Sequence, residues 1–132
     1  MSHELALQKA LIAHLKADDG VAAILGARIV DGPSDGTPVP HLQIGRCESR
    51  PLRAEGGDVE QMLTLTITSD FRGTEEAKAA MAAVRLALSD TTLEADGIRT
   101  ASLGVRFADV RTSPDGHRTH AVLRVRAVTE EA

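Results

Sequence analysis

Over residues 59–69 the chain alternates so strictly that only one kind of element fits. Leu63, Leu65 and Ile67 interleave with Thr64, Thr66 and Thr68. Side chains of an extended strand point to opposite faces in turn, so this segment is a strand with one apolar and one polar face. Such a strand suits a sheet that is covered on one side and wet on the other, a habit of antiparallel sheets. The flanking pattern supplies the cover. Ser2 caps a helix over 3–17, in which Glu4 occupies the favourable first turn and Leu5, Leu7, Leu11, Ile12 and Leu15 recur near helical spacing. Asp19 is placed to cap a short helix over 20–25, stopped by Gly26. Thr74, followed by Glu75 and Glu76, opens a third helix with Ala77, Ala80, Met81, Val84 and Leu88 in one stripe.

The remaining segments read as strands and turns. Residues 28–31 form a short strand, 32–40 a loop, and 41–46 a strand with Leu42 and Ile44 pointing one way. Residues 47–58, with Pro51, Gly56 and Gly57, read as a long mobile loop. Asp96-Gly97 is a turn. A strand over 99–112 puts Leu103, Val105 and Phe107 on one face. Pro114-Asp115-Gly116 is a hairpin turn, and a strand over 118–128 turns Ala121, Leu123, Val125 and Ala127 inward. The order α-α-β-β-β-α-β-β predicts an α+β fold: an antiparallel or mixed sheet of four to five strands with helices packed on one face. Nothing divides residues 1–132, so a single domain is expected.

Composition excludes several functions. With two Phe and no Tyr or Trp, there are few ring faces on which bases or sugars could stack. Nineteen acids against 15 bases give a net charge of −4, which disfavours general DNA binding through phosphate neutralisation. Cys47 stands alone and has no internal disulfide partner, which fits a reducing compartment. No apolar run approaches the ~20 residues of a membrane span, and no signal peptide is evident. The chain is expected to be made in a cytoplasm.

The chemical motifs fail on context. Gly32-Pro33-Ser34-Asp35-Gly36 matches the G-x-S-x-G elbow, but that motif needs a helix straight after the Ser, and Pro38 and Pro40 follow instead. His41 and Cys47 share parity on one extended segment and stand roughly 20 Å apart at ~3.3 Å per residue, too far to pair; Cys47 is expected to be half-buried and structural. His117 and His120, three apart on a strand, face opposite ways, and His3 and His14 have no ligand partner at metal spacing. No phosphate-cradling glycine motif occurs. Glu55, Asp58 and Glu60 cluster on or beside the 47–58 segment without a rigid element to fix a carboxylate pair. The polar sheet face carries Thr64, Thr66, Thr68, Arg106, Arg124 and Arg126. It is either a solvated face or a protein–protein surface, since Arg is favoured at interfaces.

Taken together, four stretches resemble a known family. They are LQKALIAHLKADDGVAAILGARIVD, PVPHLQIG, GGDVEQMLTLTITSDFRGTEEAKAAMAAVRLAL and VRFADVRTSPDGHRTHAVLRVRAVTE. In order and spacing they are similar to the tail terminator (tail completion) proteins of long-tailed phages and of phage-derived gene transfer agents. The resemblance implies a structural virion protein at the tail–neck region and no enzyme, cofactor or metal. It implies a homohexameric ring that caps the tail tube protein and joins the head–neck connector, with double-stranded DNA passing through without specific binding and no membrane contact. The surface expected to meet the tube or a second subunit comprises Arg50, Arg53, Glu55, Asp58, Glu60, Arg106, Arg124 and Arg126. Other readings are another neck component, such as a head–tail adaptor, and a small hydrolase with Ser34 as nucleophile.

Overall fold

The computed structural model describes residues 2–33, 35–52, 57–70 and 73–132. The chain runs α1 (His3–Ala17), α2 (Asp19–Leu25), β1 (Ile29–Asp31), β2 (His41–Pro51), β3 (Val59–Ser69), α3 (Glu75–Ala87), β4 (Glu94–Ala95), β5 (Ile98–Thr112) and β6 (Thr119–Glu131). One sheet has the order β1-β2-β3-β6-β5-β4; β1 lies parallel to β2 and every other pair is antiparallel. The α+β class and the one-sided helix layer are as expected. The sheet has six strands rather than four or five, because the two-residue β4 is too short to leave a periodic signal. It folds back on β5 through Asp96 and Gly97, both at positive φ, the conformation that suits a two-residue hairpin turn.

One face of the sheet and all three helices make a single core. β3 contributes Leu63, Leu65 and Ile67, β6 contributes Ala121, Leu123, Val125 and Ala127, and β2 contributes Leu42 and Ile44. α1 buries Leu7, Leu11 and Leu15, while Leu5, placed in the same stripe from sequence, is largely exposed. α3 buries Ala77, Ala80, Val84 and Ala87, whose small side chains let it lie close on the sheet.

Two caps differ from expectation. Asp18, not Asp19, caps α2: its carboxylate accepts from the Val21 N–H at 3.0 Å while its own N–H closes α1 onto the Leu15 carbonyl. One residue thus serves both helices and fixes the corner between them. Thr74 makes no side-chain cap bond to α3.

The larger correction concerns 47–58. β2 does not end at 46; a bulge between Ile44 and Cys47 inserts one residue, and the strand then continues in register with β3 to Pro51. The Leu52 N–H donates to the Asp58 carbonyl and closes the hairpin. Pro51 and the polar composition hid a strand that is held by backbone pairing and by cross-strand charge rather than by burial. Cys47 is correspondingly exposed, not half-buried, and the bulge puts it on the opposite face from His41. β5 carries two bulges, between Thr100 and Ser102 and between Val105 and Phe107, and the latter turns over the rest of the strand. Leu103 and Val105 point toward the core as expected, but Phe107 sits opposite Arg124 on the polar face and is 55% exposed.

Candidate interaction face

The outer face of the sheet is laced by two Arg–Glu–Arg triplets. Glu60 on β3 accepts from Arg50 on β2 at 2.6 Å and from Arg126 on β6 at 2.7 Å. Glu48 on β2 accepts from Arg124 on β6 at 3.1 Å and stands 3.4 Å from Arg46. These residues meet because ladder register places them so: Arg50 opposite Glu60, Glu48 opposite Met62, and Met62 opposite Arg126. Four guanidiniums share two carboxylates, so the face is net basic on an acidic chain.

The two arginines hold the Glu60 carboxyl below its ordinary value, the Arg126 hydrogen bond contributing most and the Arg50 hydrogen bond next. A carboxylate with a lowered folded pKa stabilises the protein above its unfolded value of about 4.5, and that stabilisation is lost as pH falls through the folded value. Urea melts of the protein and Glu60→Gln are therefore expected to diverge at pH 7 and to converge on acidification below about pH 4.5.

Of the expected surface residues, the structure brings together Arg50, Glu60, Arg124 and Arg126. Glu60 and Arg126 pair with each other within one chain. Arg106 is the extra residue of the β5 bulge, exposed, and borders a shallow depression with Arg126. Asp58 is half-buried at the β2–β3 turn. Arg53, Glu55 and the proposed nucleophile Ser34 lie outside the described residues. Behind Ser34 come a turn at 35–36 and then β2, not the helix that an elbow requires. Sequence reasoning missed Arg46 and Glu48. Their signal was the alternation of Arg46, Glu48 and Arg50 at period two.

Other chemistry-bearing groups are satisfied locally. His117 lies in the β5–β6 turn, where its backbone N–H donates to the Asp115 carboxylate, and the His120 ring pairs with Thr68 at 3.3 Å. Among the described residues no three His, Cys, Asp or Glu side chains cluster as metal ligands. The Cys47 thiol turns toward Gln61 Oε1 at 3.7 Å. Loss of water around it, then the negative charges of Glu4 and Glu48, push its pKa up. Fewer thiolates form at a given pH, so Cys47 is expected to alkylate with iodoacetamide several-fold more slowly than glutathione at pH 8 and to catch up at higher pH.

The family model described as tail completion protein gp17 matches residues 9–130. Among solved structures, a chain from the virion of a native gene transfer agent particle superposes with a TM-score of 0.87 at 26% identity, the match covering 98% of each chain. No curated protein sequence matches. With all but its first eight and last two residues inside the family model, this chain belongs to the tail completion protein gp17 family.

Proposed function

We propose that the chain is a structural subunit of a phage-like particle, one of six that form a ring on the head-proximal end of the tail tube and join it to the neck connector. The observation that carries this reading is structural similarity over 98% of the chain to a chain of a gene transfer agent virion. The net charge of −4 suits a conduit through which DNA must move without sticking. Six copies arranged head to tail close into a ring when the rotation per copy divides evenly into a circle. Electron microscopy of particles made without this chain tests the role. Tails of uncontrolled length, or tails detached from heads, are expected; normal tailed particles would contradict it.

The outer sheet face is the surface through which the subunit meets its neighbours or the tube. Arg124→Glu places two acids side by side at Glu48. We expect incorporation into particles to fall at least tenfold, with the far-ultraviolet circular dichroism of the purified variant unchanged. Normal incorporation would remove this face from the contact.

A further inference from the structure

The sheet has two open edges whose residues complement each other. β1 covers β2 only at residues 42–44, and β4 covers β5 only at 98 and 99. Beyond those points, among the described residues, β2 pairs only with β3 and β5 only with β6. Each open edge holds a regular run that begins just past a bulge: residues 47–52 on β2 and its turn, and 107–112 on β5.

The backbone groups on these edges can be assigned. In an antiparallel ladder the N–H and C=O of one residue point to the same side, and the side alternates along the strand. The Leu52 N–H reaches Asp58 on the β3 side, so Arg50 and Glu48 also face β3 while Cys47, Ser49 and Pro51 face outward, Pro51 offering a carbonyl but no N–H. The Ser113 N–H reaches Arg118, so Arg111, Asp109 and Phe107 face β6 while Thr112, Val110 and Ala108 face outward. Strand direction alternates through β2, β3, β6 and β5, so the β5 of one copy set beside the β2 of the next continues an antiparallel sheet.

We propose that a second copy of this chain occupies each edge, β5 residues 107–112 adding to residues 47–52 of the neighbour. One register is selected by chemistry. With Ser49 opposite Val110, the outer face sets Glu48 against Arg111, Arg50 against Asp109 and Leu52 against Phe107. Leu52 and Phe107 are 42% and 55% exposed in the single chain, and the pairing covers both. A slip of two residues one way puts Glu48 against Asp109; a slip the other way puts Arg50 against Arg111. Like charges directly opposite are destabilising, so neither slip competes.

The contact uses different surfaces on the two copies, so it propagates head to tail, and it closes as a ring when the rotation per copy divides evenly into a circle. Within one chain Arg50 stands level with Ser102, through Glu60 and Val128. Pairing it with Asp109 instead shifts each copy roughly 20 Å along the strands for about 19 Å of sheet width, a strand tilt of roughly 45°, close to that of closed barrels. The inference rests on the ring reading above and adds its edge, direction and register.

Cysteine pairing tests it inside the particle. In a Cys47→Ser background, Arg50→Cys and Asp109→Cys are introduced together, particles are purified and oxidised, and the chain is run on a non-reducing denaturing gel. Positions 50 and 109 of one chain lie on strands three spacings apart, about 14 Å, beyond the roughly 7 Å Cα limit of a disulfide, so any cross-link joins two copies. A ladder of covalent multimers ending at the ring size is expected, with each single-cysteine variant staying monomeric. Incorporated but uncross-linked chain overturns the inference, as do dimers from a single-cysteine variant, which would mean that like edges meet. If the double variant is not incorporated, charge exchange decides: Arg50→Asp loses incorporation, and adding Asp109→Arg is expected to restore it at least tenfold. No restoration overturns the register. Absence of the wild-type chain from particles would instead overturn the ring reading itself.

Discussion

Leu65→Ala is expected to destabilise the protein by about 2–5 kcal/mol, the range for emptying a leucine site in a packed core. Leu65 is fully buried on β3, in register with Ile44 on β2 and Leu123 on β6. It lies at the middle of the sheet, where neighbours on both sides are themselves fixed and collapse into the void is poor. A domain of this size has roughly 5–15 kcal/mol in total, so the loss is a large share, and Tm should fall by on the order of 10 °C. Thr66→Ala, one residue on and facing outward, should change stability by less than about 1 kcal/mol. Urea denaturation of the two variants checks the contrast. Equal effects would mean that the two faces of β3 are not unlike.

Gln61→Glu should cost about 3–5 kcal/mol at neutral pH although it changes a single atom type, because it leaves an uncompensated buried charge. Gln61 is fully buried, and its amide donates to the His3 carbonyl at 3.1 Å and to the Thr129 hydroxyl at 3.0 Å. These bonds tie β3 to the start of α1 and to β6. A carboxylate has no donor for the His3 carbonyl and repels it. Burial raises the pKa of the introduced carboxyl above its unfolded value. A raised acid is best tolerated below the unfolded pKa and increasingly penalised as pH rises through the folded one. The deficit against the parent protein should therefore be smallest near pH 4 and grow toward pH 7. A deficit independent of pH would mean that lost packing, not charge, is the cause.

What the sequence made legible was set by periodicity. β3 and β6 run without interruption, and their inward residues, Leu63 to Ile67 and Ala121 to Ala127, are the ones that alternate in the chain. The α3 stripe was equally plain. The misses fall where a single inserted residue breaks the period. After the bulge at 44–47, parity reverses, so Cys47 moves to the opposite face from the one that alternation assigned. After the bulge at 105–107, Phe107 moves from the core face to the polar one. A bulge is a property of the strand pair, and one strand's sequence carries little sign of it. Arg46 and Glu48, which form a triplet with Arg124, were hidden for a related reason. Charges that stabilise a strand by pairing across it look, in one dimension, like the composition of a loop.

Copies of this chain are expected to form a collar on a tail. Averaged cryo-electron micrographs of the tail–head junction in purified particles test it most directly. One closed ring of six copies is expected there, their sheets joined edge to edge. Particles that lack the chain, or that carry it at no fixed place, would contradict it.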